Sequence, residues 1–159
     1  MQQRSKRQPK VKKTALVQAV DLLARQAHSK KKLTDKLKQR DYEPEEVEMA
    51  IERLVERGYL NDEDLCQQQF GRYYDESHYS VKQICYKLMN RGFDDALVRS
   101  CIPEYTDERE ELAAKRNLQI KYKKAADAAK MMQYLYGKGF SFGIARRAVE
   151  AFCQAVEIE

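Results

Sequence analysis

The chain predicts an all-α fold: a tandem array of three three-helix repeats, each laid out like a helix-turn-helix unit. Three observations predict it. First, one six-residue signal occurs at Leu37–Tyr42, Leu54–Tyr59, Leu88–Phe93 and Leu135–Phe140. Each copy reads Leu, two variable residues, Arg or Lys, Gly or Asp, then an aromatic residue. This is a helix ending: Gly takes the left-handed conformation at no steric cost, and the aromatic folds back onto the leucine. The basic residue faces the negative end of the helix dipole. Asp41 stands in for Gly in the first copy, less comfortably. Second, the apolar register repeats around Tyr42, Phe93 and Phe140, which are spaced by 51 and 47 residues. Leu37, Leu88 and Leu135 lie five residues before these aromatics; Leu33, Ile84 and Met131 lie nine before; Ile51, Ile102 and Val149 lie nine after. Val47, Leu97 with Val98, and Ile144 with Ala145 fill the positions four and five after. Such spacings place side chains on one helix face, and a period near 50 residues signals a tandem array. Third, no segment shows a convincing strand alternation.

The elements follow in order. Residues 1–13 are basic, lack the apolar stretch of a secretory signal and read as a disordered arm. The first repeat spans 14–60. Its first helix, Ala15–Gln26, carries Leu16, Ala19, Val20 and Leu23 on one face. Ser29 caps a second helix to about Gln39, and Pro44, at home in a first helical turn, opens a third to Arg57. The second repeat spans 61–103. Asp62 or Asp64 starts a helix through Phe70 and Tyr74; Ser80, in the register of Ser29, caps the next; Asp94 starts the last, which ends before Pro103. The third repeat spans 104–155. Thr106 or Asp107 starts a longer helix through Leu118, Asp127 takes the register of Ser29 and Ser80, and Ser141 caps the final helix through Phe152.

Composition narrows the function. The sequence is 43% hydrophobic and 35% charged, enough for small packed units that need mutual support. No apolar run approaches the ~20 residues that cross a bilayer, so a soluble, cytoplasmic, monomeric protein is expected. Cys66, Cys85, Cys101 and Cys153 form no Cys-x-x-Cys pair and read as reduced, mostly buried thiols. His28 and His78 precede middle helices and read as linker residues. Neither a metal site nor a cofactor is expected. Charge is uneven: residues 1–40 carry +11, residues 41–80 carry −9 and the remainder +3, for a net +5. That alternation suits a partner bearing both signs, such as protein already coating DNA.

No enzyme is expected. Gly137-Lys138-Gly139 lacks the spacing and preceding strand of a phosphate loop and falls in the helix-stop register. There is no Gly-x-Ser-x-Gly and no His-Glu-x-x-His. Glu45, Glu46, Glu48, Glu52 and Glu56 read as a solvated helix face. A helix-turn-helix DNA reader wants basic and amide side chains on its third helix. Here that helix is acidic in the first repeat, carries only Arg99 in the second, and offers Arg146 and Arg147 in the third. The middle helices suit phosphate contact better, through Lys30, Lys31, Lys32, Lys36 and Lys38, then Lys82, Lys87 and Arg91, then Lys130 and Lys138. Tyr73, Tyr74 and Tyr79 are candidates for stacking or for half-buried core.

The stretch Gly58-Tyr59-Leu60-Asn61-Asp62-Glu63-Asp64-Leu65-Cys66 resembles a signature of the RecX regulatory proteins. His28-Ser29 with Leu33 and Leu37 resembles that family's first middle helix. Ser80 to Ile84, then Leu88, Arg91, Gly92 and Phe93, resembles its second. The likeness covers about residues 14–153; His78-Tyr79 stands where family members usually have a glycine, and the third repeat matches loosely. The resemblance implies an elongated, curved array that modulates the RecA recombinase without catalysis. It implies binding in the groove of RecA filaments on single-stranded DNA, and inhibition of ATP hydrolysis, strand exchange and SOS-repressor cleavage. Arg72, Lys82, Lys87, Arg91, Lys121, Lys123, Lys124 and Arg146 are the expected contacts with RecA or DNA. The alternative is a direct DNA-binding protein using the basic faces of its repeats.

Overall fold

The computed structural model describes residues 11–158, and among these there are nine helices and no strand. The helices are α1 Ala15–Arg25, α2 Lys30–Gln39, α3 Pro44–Glu56, α4 Asp62–Glu76, α5 Val81–Asn90, α6 Asp95–Ser100, α7 Asp107–Lys121, α8 Ala128–Gly137 and α9 Phe142–Ile158. Most of the basic arm expected over residues 1–13 lies outside the described residues. Its end, Lys12 and Lys13, lies on the first repeat: the Tyr42 hydroxyl donates to Lys13 O at 2.7 Å, and Lys12 Nζ donates to Asp41 O at 3.1 Å.

Most helix starts fall where the sequence places them. Ser29 Oγ accepts from Lys32 N and Ser80 Oγ from Gln83 N, while the Gln83 side chain accepts from Ser80 N and completes a capping box. Asp127 accepts from Ala129 N and Ser141 from Ile144 N. Asn61, rather than Asp62 or Asp64, caps α4, accepting from Asp64 N at 3.1 Å.

All of the repeated stops are real. Asp41, Gly58, Gly92 and Gly139 have φ of +62°, +75°, +91° and +93°. The following residue donates its N–H back to the leucine carbonyl: Tyr42 to Leu37, Tyr59 to Leu54, Phe93 to Leu88 and Phe140 to Leu135, at 2.9 to 3.5 Å. The left-handed residue itself donates to the next carbonyl along, completing a Schellman closure. Tyr42, Phe93 and Phe140 are thereby turned into the core. Tyr59 departs from the pattern at 69% exposure, and Leu60 takes the buried place instead.

The shared register builds three separate cores. Leu33 and Leu37, Ile84 and Leu88, and Met131 and Leu135 are fully buried on the three middle helices. Burying each such side chain stabilises by about 1.5–3 kcal/mol. The first core gathers α1 to α3, the second α4 to α6, the third α7 to α9. On α1 the buried positions are Ala15, Ala19 and Leu22, with Leu16 and Leu23 at the margin and Val20 49% exposed. The expected face is therefore rotated. Helix α6 stops after six residues. The chain divides into two compact units, one ending at Leu60 and one beginning at Asn61, so the second unit holds two of the cores.

Within that second unit, repeats two and three interlock. Ser80 Oγ donates to Lys138 O at 2.7 Å while it caps α5. A Cβ on Gly139 would stand 2.7 Å from Ser80 Oγ and 3.1 Å from Lys82 Cβ. Gly139 is thus required twice, by its backbone angle and by this close approach. Gly139→Ala should destabilise by about 2 kcal/mol or more, the left-handed backbone alone costing about 1–2 kcal/mol. Asp41→Gly relieves the same strain against an added unfolded-state entropy, so it should range from neutral to about 1 kcal/mol stabilising. Urea unfolding of the two variants checks both signs.

Candidate interaction surface

Helix α5 faces the core with Ile84, Cys85 and Leu88, and so its other flank carries Lys82, Tyr86 and Asn90 at four-residue steps. That flank borders a groove of about 800 Å³, lined also by Arg99 on α6, by Ile102 just after it and by Tyr136 to Gly139 at the end of α8. The floor is soft and apolar, with Cys85 and Met89 beside Ile102. Lys82, Lys87, Arg99 and Lys138 line it, and among the lining residues there is no aspartate or glutamate. Arg99 Nε donates to both Asp95 carboxylate oxygens at 2.9 and 3.0 Å, which fixes it at the rim.

Toward α4 the same helix presents a different arrangement. Lys87 Nζ lies 4.6 Å from the Tyr79 ring and the Arg91 guanidinium 5.4 Å from the Tyr73 ring, and the two rings meet edge to face at 5.8 Å. Arg91 also donates to Gln69 at 3.0 Å. These cation–π contacts hold the basic heads in place beside half-buried tyrosines. Tyr73, Tyr74 and Tyr79 all pack against the second core.

The expected contacts therefore fall into groups. Lys82 and Lys87 meet at the groove, and Arg91 joins Lys87 over the tyrosine pair. Lys121, at the end of α7, reaches the Tyr134 ring at 4.4 Å; Lys138 lies over the same ring at 5.6 Å and connects it to the groove. Lys123 and Lys124 are exposed between α7 and α8. Arg72 is exposed on α4. Arg146 is drawn into an ion pair with Glu150 one turn along, at 3.0 Å. Counting charges does not single out Tyr86 and Tyr136, which are 65% and 70% exposed. An aromatic residue standing off the buried helical stripe is the available signal.

A buried polar network holds this surface to α7. Arg109 donates to the carbonyls of Tyr73 (3.3 Å), Tyr74 (2.9 Å) and Ser77 (3.0 Å), and to that of Tyr79. Arg109 thereby closes the carbonyl end of α4. Glu110 Oε1 accepts from Arg109 and from Val81 N at 2.9 and 3.0 Å, and Asn117 donates to His78 O at 2.7 Å. Burial pushes the Glu110 carboxyl above its ordinary value, with Arg109 and the Val81 N–H opposing. Of the cysteines, Cys85 belongs to the groove floor; Cys66 and Cys85 are buried, Cys101 and Cys153 partly so. Burial, with Cys101 Sγ 3.8 Å away, pushes the Cys66 thiol up to about 12. A thiol so protonated is a poor nucleophile.

Residues 15–54 match the first three-helix domain of RecX, and residues 109–149 match its third three-helix domain. A regulatory protein RecX of Pseudomonas tolaasii is 32% identical over 136 residues, covering 81% of this chain and 85% of that protein. The chain belongs to the RecX family. A regulatory protein RecX of Thermus thermophilus is 34% identical over 137 residues, covering 84% of this chain and 89% of that one. The crystal structure of RecX from Lactobacillus salivarius superposes with a TM-score of 0.74 at 22% identity, over 87% of this chain and 94% of that chain. A second RecX crystal structure gives 0.75 at 20% identity, over 86% and 71%. The RecX fold of three-helix domains is thus common to all three, and the loosely matched third repeat is part of it. The relatives are named regulatory proteins, and this chain is a regulator of the RecX type. No helix among the described residues is long and apolar enough to cross a membrane.

The Glu110 carboxyl gives this surface a pH signature. Its folded value is raised, so its contribution to stability is complete below the ordinary value of 4.5 and is lost as pH rises through the higher folded value. Wild type should therefore lose stability relative to Glu110→Gln as pH is raised from 4 toward 7. Urea midpoints of the pair, measured across that range, read the difference; a constant gap would contradict it.

Proposed function

We propose that this chain is a non-catalytic modulator of the RecA recombinase. It binds in the groove of RecA filaments on single-stranded DNA and restrains ATP hydrolysis, strand exchange and co-protease activity. It thereby tempers recombination, DNA repair and the SOS response in the cytoplasm. Membership of the RecX family carries the reading, and the tandem helical units support it. Several linked weak contacts can hold a filament by avidity, since each bound unit raises the effective concentration of the next. An occupant of the groove excludes a second DNA and resists motion between neighbouring subunits.

The contacts we assign are Lys82, Lys87 and Arg91 on α5, Lys121, Lys123 and Lys124 at and after the end of α7, Arg72 on α4 and Arg146 on α9. The first three have the strongest support. Lys87 and Arg91 are held over tyrosine rings, and Lys82 stands at the mouth of a groove free of carboxylates. A preordered cation loses less side-chain entropy when it meets its partner. The lysines of α2 favour direct phosphate contact as a second reading, because Lys30, Lys31, Lys32 and Lys38 are all exposed on one short helix.

Reversing Lys82, Lys87 and Arg91 together to Glu should weaken inhibition of the RecA ATPase at least tenfold while leaving the far-ultraviolet circular dichroism unchanged. Unaltered inhibition would reject this surface. Co-sedimentation separates the two readings. Binding to RecA-coated single strands should exceed binding to bare single strands, and equal affinity would favour the DNA-binding one. Both should weaken with salt.

A further inference from the structure

We infer that the groove between α5, α6 and the end of α8 docks an acidic peptide segment carrying an aliphatic anchor, supplied by the protein partner. This rests on the RecA reading for the identity of the partner, and on the groove alone for the chemistry. The shape comes first. A volume of about 800 Å³ falls within the roughly 300–1,000 Å³ of pockets that enclose a sizeable ligand. A flat electrostatic contact would need no such recess.

The lining then selects the occupant. Cys85, Met89 and Ile102 form an apolar floor, and thiol, thioether and aliphatic groups adapt readily to an inserted Leu, Ile or Met side chain. They offer almost nothing to the edge of a nucleic-acid base. Around the floor, Lys82 and Lys138 stand without a lining carboxylate to neutralise them, while the Lys87 head is seated on Tyr79. An occupant whose apolar anchor enters the floor therefore meets positive charge on its flanks, and carboxylates on those flanks complete the match. The exposed Tyr86 and Tyr136 also line the groove, each with apolar ring area and a hydroxyl for the rim of an interface.

Single-stranded nucleic acid is the competing occupant, since lysines and tyrosines also serve it. The guanidinium is the group that best grips phosphate in two-point fashion. Arg99, the groove's arginine, is already held on both carboxylate oxygens of Asp95. The observations thus favour the peptide.

Fluorescence anisotropy on the full chain tests this with three labelled probes: a 15-residue Glu-rich peptide with Leu at every fourth position, the same peptide with Ser for Leu, and a 15-nucleotide dT strand. The Leu peptide should bind at least tenfold more tightly than the Ser peptide. Lys82→Glu with Lys138→Glu should abolish that binding, whereas the equal charge change Arg25→Glu with Arg53→Glu in the first unit should change it less than twofold. Equal binding of the Leu and Ser peptides would remove the anchor and overturn the inference. Tighter binding of dT, lost in the Lys82/Lys138 variant, would reassign the groove to nucleic acid. Co-sedimentation with RecA filaments, run alongside, separates the two levels. Filament binding without peptide binding sinks the groove alone; peptide binding without filament binding sinks the RecA reading alone.

Discussion

One backbone event shapes each repeat: a residue with positive φ after the middle helix, whose successor donates its N–H back to the leucine carbonyl five residues earlier. The closure satisfies carbonyls that would otherwise be orphaned at a helix end. It also reverses the chain so that Tyr42, Phe93 or Phe140 enters the core beside the leucine it caps. The next helix begins two residues after that aromatic and must pack against the one just closed. Interhelix geometry is thus set locally, before any long-range contact forms. A repeat of about 50 residues has little apolar surface to spare, and its fold depends on this turn being right.

The second unit adds a further constraint. Ser80 serves two structures at once, as the cap of α5 and as a donor to the carbonyl of Lys138 beside the Gly139 stop. Arg109 gathers the carbonyls at the end of α4 and the following loop, and Glu110 and Asn117 anchor the rest of that loop. Burying an Arg–Glu pair yields little net stability by itself, because desolvation offsets the Coulomb gain. Its effect here is positional. A loop whose carbonyls converge on one guanidinium has one conformation, and that loop carries Tyr79 and aims α5. The groove and the tyrosine-seated cations inherit their geometry from it.

What the sequence disclosed and what it withheld divide along the same line. Caps, stops and the middle-helix core are local, and each was legible because the residue type alone marks the local role: Ser29, Ser80, Gly92 and Gly139 are instances. The face of α1 was misplaced because its apolar residues occupy two overlapping stripes. Periodicity fits both, and the choice is made by neighbours: alanines 15 and 19 allow close approach, and Ala15 N donates to Glu46. Tyr59 obeyed the motif yet stayed exposed, since Leu60 donates to the same Leu54 carbonyl and fills the site. The role of Arg109 was invisible because its acceptors are main-chain carbonyls, which no residue pattern marks. Family membership was readable through several short motifs together, each weak alone.

The candidate site shows why a charge census is a poor guide to a surface. Arg146 and Arg99 look like equals of Lys82 in the sequence, but each is tied to a carboxylate one helical turn away. Such exposed pairs are worth little in stability, about 0.3–0.5 kcal/mol, yet a partner must compete with them before it can use the arginine. Lys82, Lys87 and Lys138 differ in that they border a recess with an apolar floor whose lining residues include no aspartate or glutamate. The useful measure of a basic residue is therefore what stands within one turn of it and what lies beneath it. By that measure a few of the second unit's basic residues, Lys82 and Lys138 among them, mark one recess, although the unit as a whole carries no net positive charge.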